Sequence, residues 1–172
     1  MFDVIFGLPV HILVLHAYVV LGPLAAAAAI AYAARPAWRR ILKWPVVVLA
    51  VVTGVSAFVT KESGEKLQGR LVPRHDSGST DPQVRAILAH TEIGDVAGIV
   101  GILFMLVVLV AVLWALRERA GERAQGFLAV AAVVVVIVAA ASLLVSVVWA
   151  GHTGAVAAWQ ARIAATTPGS GD

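Results

Sequence analysis

The sequence predicts an all-α protein, a transmembrane up-down-up-down four-helix bundle, on three observations. The chain is 60% hydrophobic and only 13% charged, whereas soluble domains run nearer half apolar and a quarter charged. Four separate segments reach the roughly 20 apolar residues that a helix needs to cross a bilayer. The connections between them alternate short, long, short, a pattern compatible with antiparallel neighbours. All 172 residues read as one integral-membrane domain in a lipid bilayer.

The first span covers residues 8–34, with Pro9 suited to a first helical turn and Gly22-Pro23 to a mid-span kink. Nothing basic precedes it and Asp3 is acidic, so it reads as a retained span, not a cleaved signal peptide. The second span, 41–59, is the least apolar, interrupted by Thr53, Ser56 and Thr60. An outer loop over 61–81 contains Pro73, Gly78 and Ser79, and its Ser63-Gly-Glu65 and Ser77-Gly-Ser79 stretches read as turns. Asp81-Pro82 then suits the cap and first turn of a polar helical lead-in to the third span, 97–116. The fourth span, 127–150, contains the plainest lipid-facing run, 130–138; a short surface helix after Trp159 and an irregular tail at 168–172 follow.

Orientation follows from the short connections. The first holds Arg35, Arg39, Arg40 and Lys43 with no acid; the second holds Arg117, Arg119 and Arg123 against Glu118 and Glu122. Short Lys/Arg-rich loops stay in the cytoplasm, so both termini are expected outside. Trp38, Trp44 and Trp114 fall at the inner boundary, and Trp149 and Trp159 at the outer one, as an aromatic belt requires.

Several function classes have no support. The absence of cysteine removes disulfides, thiolate-held iron–sulfur clusters and Cys-ligated zinc. The net charge of +3 sits at loop ends with no basic run interleaved with aromatics, so nucleic acid is not an expected partner. No H-E-x-x-H, G-x-S-x-G or phosphate-binding glycine loop occurs.

What remains is histidine. An ionisable group inside a membrane span is a functional-site hypothesis by default. Counting up each helix from its inner end, His16 comes at roughly 27 Å, His11 at roughly 34 Å, His152 at about 37 Å and His90 at about 39 Å. Glu62 and Asp95 come at about 31 Å, and His75 lies in the loop above. Three helices are thus expected to deliver four histidines to one extracytoplasmic layer, while the inner half has no acid or histidine. His90, Gly94, Ala97, Gly98 and Gly101 share one face of the third helix, and small residues there permit close approach of a helix or a flat cofactor. His11 and His16 stand about 140° apart on an ideal helix, so their roles are expected to differ. His16, the deeper, reads as the buried ligand, and His11 as part of a rim with His90 and His152. Glu62 and Asp95 read as groups that could orient ligating imidazoles, and Glu92 as solvated rim.

Imidazole nitrogens suit zinc, copper and iron, and two from different helices can ligate haem iron. The first expectation is therefore a b-type haem protein passing electrons at the extracytoplasmic face. Its axial ligands would be His16 or His11 with His90 or His152 opposite, and the small faces around Gly94, Gly98 and Gly101 would accommodate the porphyrin. The alternatives are a non-haem Zn, Cu or Fe site built by His11, His90 and His152 with Glu62 or His16, and a cofactor-free structural or pH-responsive subunit. The metal reading leaves an oxidoreductase open.

Four sets of residues carry a resemblance over nearly the whole chain. They are Pro9-x-His11 with His16 and mid-span Pro23; Ser63-Gly64-Glu65 closing the second helix; His90 opening the third; and Gly151-His152-Thr153-Gly154 closing the fourth. The chain resembles a family of bacterial four-span membrane proteins of unknown function, relatives of which are sometimes fused ahead of a Rieske iron–sulfur domain. It departs from the pattern in having Ile12 where many relatives have proline, and residues 155–159 in place of aromatic and glycine residues. The resemblance implies the bacterial cytoplasmic membrane and, by analogy only, electron transfer. No Rieske domain follows, so a redox partner is expected to be a separate protein.

Overall fold

The structure, a computed structural model, describes residues 4–72, 78–116 and 126–166. His75, the cations Arg117, Arg119 and Arg123, and the tail at 168–172 lie outside the described residues. A small antiparallel hairpin, β1 (Val4–Ile5) and β2 (Leu8–Pro9), comes first. Its turn residues Phe6 and Gly7 both take positive φ, 52° and 79°, the backbone that matches strand twist in a two-residue turn.

Four helices follow: α1 (Val10–Ala34), α2 (Arg39–Leu71), α3 (Pro82–Val110) and α4 (Phe127–Ala164). All four are long and apolar enough to cross a membrane. They form an antiparallel bundle in which α1 packs on α2 and α4, and α3 on the same two, leaving α1 and α3 diagonal.

The helix ends follow from local chemistry. α1 runs unbroken through Pro23 to Ala34, and a 3-10 turn at Pro36–Trp38 leads into α2. Buried Arg39 donates from Nε to the Tyr32 carbonyl (3.3 Å) and from a terminal nitrogen to that of Ala33 (3.1 Å), so a cation closes the negative end of α1. Asp81 caps α3, its carboxylate accepting from the Gln83 amide at 2.7 Å, with Pro82 in the first turn. A π-helical turn, Ala111–Ala115, ends α3.

Two helices overrun the expected spans. α2 continues through the supposed loop to Leu71, and α4 runs 38 residues to Ala164 rather than stopping at 150. Thirty-eight residues rise about 57 Å, against a hydrocarbon thickness of about 30 Å. Hydropathy marks the apolar part of a helix, not its end. Ser63-Gly64-Glu65 is therefore helical, a correction to its reading as a turn.

The core runs along seams with alternating steps of three and four. These are Tyr18, Gly22, Ala25 and Ala29 on α1; Val46, Ala50, Thr53 and Ala57 on α2; Ala97, Gly101, Phe104 and Val108 on α3; and Val136, Ala140, Leu143 and Val147 on α4. That spacing is the packing of left-handed bundles. Small residues dominate because lipid supplies no hydrophobic drive between helices, and close van der Waals contact must do so. At Gly101 a Cβ would stand 2.5 Å from the Ala57 Cβ and 3.0 Å from the Tyr18 hydroxyl oxygen, and that hydroxyl donates to the Ala97 carbonyl at 2.7 Å.

Candidate functional site

The first turn of α1 and the second half of the α3 lead-in place His11 and His90 across the diagonal of the bundle. Their rings meet edge to face, centroids 6.1 Å apart and planes at 70°. Each ring rests on a glycine of a third or fourth helix. A Cβ on Gly64 of α2 would stand 3.0 Å from Cε1 and Nδ1 of His11; one on Gly154 of α4 would stand 3.0 Å from Cε1 of His90. All four helices thus build the pair.

The hydrogen bonds bear on which nitrogen of each ring carries the proton. His11 Nδ1 lies 2.9 Å from the Thr60 carbonyl, which only accepts, so Nδ1 donates and Nε2 keeps its lone pair. His90 Nδ1 lies 3.1 Å from Thr153 Oγ1. That hydroxyl also reaches the Ala150 and Trp149 carbonyls of its own helix (3.1 and 3.2 Å), and with its proton there it accepts from His90. In that arrangement both imidazoles present an unprotonated Nε2, the form in which histidine binds metals while its other nitrogen holds the ring in place. Beside them, Ser63 donates to the Val59 carbonyl, and the Thr60 hydroxyl is buried with no hydrogen-bond partner among the described residues.

The remaining expected residues lie apart from this pair. His16 is exposed and its Nδ1 bonds to the Ile12 carbonyl one turn earlier in its own helix, so the expectation that it is the buried histidine is corrected. The two imidazoles of α1 point in different directions, and packing selected the first. His152 is also exposed; its motif reaches His90 through Thr153 and Gly154 instead. Glu62 lies 3.9 Å and Asp95 3.6 Å from Lys61 Nζ, which also pairs with Glu65. Those carboxylates serve the lysine, while a carbonyl and a threonine hydroxyl orient the imidazoles. Gly98 packs on the Lys61 stem, where a Cβ would come within 2.9 Å, whereas a Cβ at Gly94 would meet nothing within 4 Å. The stripe therefore receives a lysine and a tyrosine at Gly98 and Gly101, and stays open only at Gly94. Glu92 is exposed, as a solvated rim residue should be.

Among the described residues no three His, Cys, Asp or Glu side chains gather into a group able to hold a metal ion. The expected layer of four histidines is, in the structure, a pair. Thr60, Gly64, Thr153 and Gly154 were not singled out as site residues by sequence, although the last three fall in the short motifs that carry the family resemblance.

Comparison with curated proteins and with solved structures yields no match. A family model described as "Predicted membrane protein (DUF2231)" matches residues 7–167, nearly the whole chain. With four membrane-length helices packed around a histidine pair at one end, the chain belongs to this family of membrane proteins.

Proposed function

We propose that the chain is a membrane b-type haem protein that transfers electrons, in which His11 and His90 would hold the haem. The observation that carries this reading is the pair itself: two imidazoles from diagonal helices, each with Nδ1 committed to the protein and Nε2 free. The count of donors favours haem over a bare ion. Zinc takes three or four protein ligands, whereas iron in haem draws four bonds from the porphyrin and needs only two from protein. Bound there, the iron would supply one-electron chemistry; the chain would fix the two imidazoles and exclude water with the seam below them. Gly94, where a Cβ would meet nothing within 4 Å, offers open, side-chain-free backbone on the same helix as His90.

The acid-free, arginine-rich connection between α1 and α2, at the other end of the bundle, supports an extracytoplasmic position for the pair by the positive-inside rule. A redox partner would be a separate protein approaching that face. Expression with ample haem tests the reading. A Soret band is expected in the purified protein, lost in His11→Ala and His90→Ala and kept in His16→Ala and His152→Ala. A colourless preparation overturns it. Should that preparation instead carry zinc, copper or iron that His90→Ala abolishes, the site is a non-haem metal centre.

A further inference from the structure

At the end of the bundle remote from the histidines, a groove of about 270 Å³ opens between the last turn of α1 and the first turns of α4. Its walls are Ala33, Ala34, Val130 and Val133, and the one charged residue lining it is Arg39. Arg39 is only 7% exposed, and no carboxylate pairs with it among the described residues. Two of its five N–H groups go to carbonyls at the end of α1. Those carbonyls offset only part of a full charge, and a buried cation without an anion is costly.

We infer that this groove holds one anionic phospholipid, its phosphate on the free N–H groups of Arg39 and an acyl chain along the alanine and valine walls. Three features on the same level fit that occupant. Arg35, Arg40 and Lys43 supply further positive charge with no acid in the connection. Trp38 and Trp44 are exposed beside them, with Arg35 and Lys43 stacked on their rings at 5.8 and 5.2 Å, which marks the headgroup level. The forked guanidinium recognises phosphate through paired donors, and basic pockets between membrane helices at this level take lipid headgroups.

Native mass spectrometry of the full chain in detergent, titrated with phosphatidylglycerol or phosphatidylcholine, tests this. One phosphatidylglycerol should stay bound with a preference of roughly tenfold, the worth of a charge-assisted contact. Inorganic phosphate at equal concentration should not displace it. Val133→Trp fills the groove while leaving the Arg39 side chain in the protein, so it should abolish the retained lipid while the helical spectrum and melting stay unchanged. Arg39→Lys should keep the bundle and lose most of the preference. Equal retention of the two lipids, or a Val133→Trp protein that binds as the wild type does, overturns the proposal.

Discussion

His11 and His90 owe their positions to atoms that are missing as much as to atoms that are present. Each ring occupies the space a glycine leaves free, so adding a methyl group there pushes on the imidazole directly. Gly64→Ala and Gly154→Ala should each move a ring by a few tenths of an ångström and, with haem bound as proposed, broaden or shift its spectrum. Gly151→Ala, where a Cβ meets nothing within 4 Å, should leave it unchanged. Absorbance of the three proteins side by side checks this. Thr153→Val is a sharper probe, because it keeps the shape and removes the acceptor for the His90 Nδ1 proton. It should lower stability by about 1–2 kcal/mol, the cost of stranding a part-buried donor, and Thr153→Ser should restore most of it in thermal unfolding. Legibility was partial at this scale. That the chain carries histidines at one end could be counted from the sequence. Which of them touch could not, because direction around a helix depends on the neighbours it packs against.

At the scale of elements, helix packing depends on close approach along the seams. Gly101 and Gly54 provide a comparison, since both sit at interfaces between α2 and α3. A Cβ on Gly101 would stand 2.5 Å from the Ala57 Cβ and 3.0 Å from the Tyr18 hydroxyl; one on Gly54 would stand 2.6 Å from the Met105 Cβ, which no rotamer change can move. Gly101→Ala and Gly54→Ala should therefore each cost about 2–3 kcal/mol, the upper range for overpacking, since only the Met105 tail beyond its Cβ can repack. Thermal unfolding of both proteins in one detergent checks this. The number of helices was readable from apolar length, and the start of α3 from Asp81-Pro82. The ends of α2 and α4 were not, since a helix leaving the bilayer continues on ordinary propensity and pairs such as Lys61 and Glu65 one turn apart. The seams were hidden as well: lipid-facing and core-facing residues are alike apolar, so no polar stripe marks the buried side.

For the whole molecule, the decisive property is polarity along the bundle axis, with buried arginine at one end and paired histidine at the other. The cysteine-free sequence makes the orientation directly measurable. In intact cells Ser79→Cys should react with a membrane-impermeant maleimide, and Ala37→Cys should react only after lysis. The reverse pattern would put the histidine pair on the cytoplasmic side and remove the case for an extracytoplasmic electron partner.

Composition and apolar length alone determined that this is a four-helix membrane protein, and the short motifs read from the sequence already contained Gly64, Thr153 and Gly154, which pack around the histidine pair. Only the tertiary structure decided that two histidines meet and two face outward, and that motif glycines seat the rings. It also decided that Arg39 is buried against a groove. The reason is physical. Burial in lipid depends on composition summed over a segment, which a sequence states outright. A site depends on the rotation of each helix about its axis, and that is settled only when four surfaces pack together.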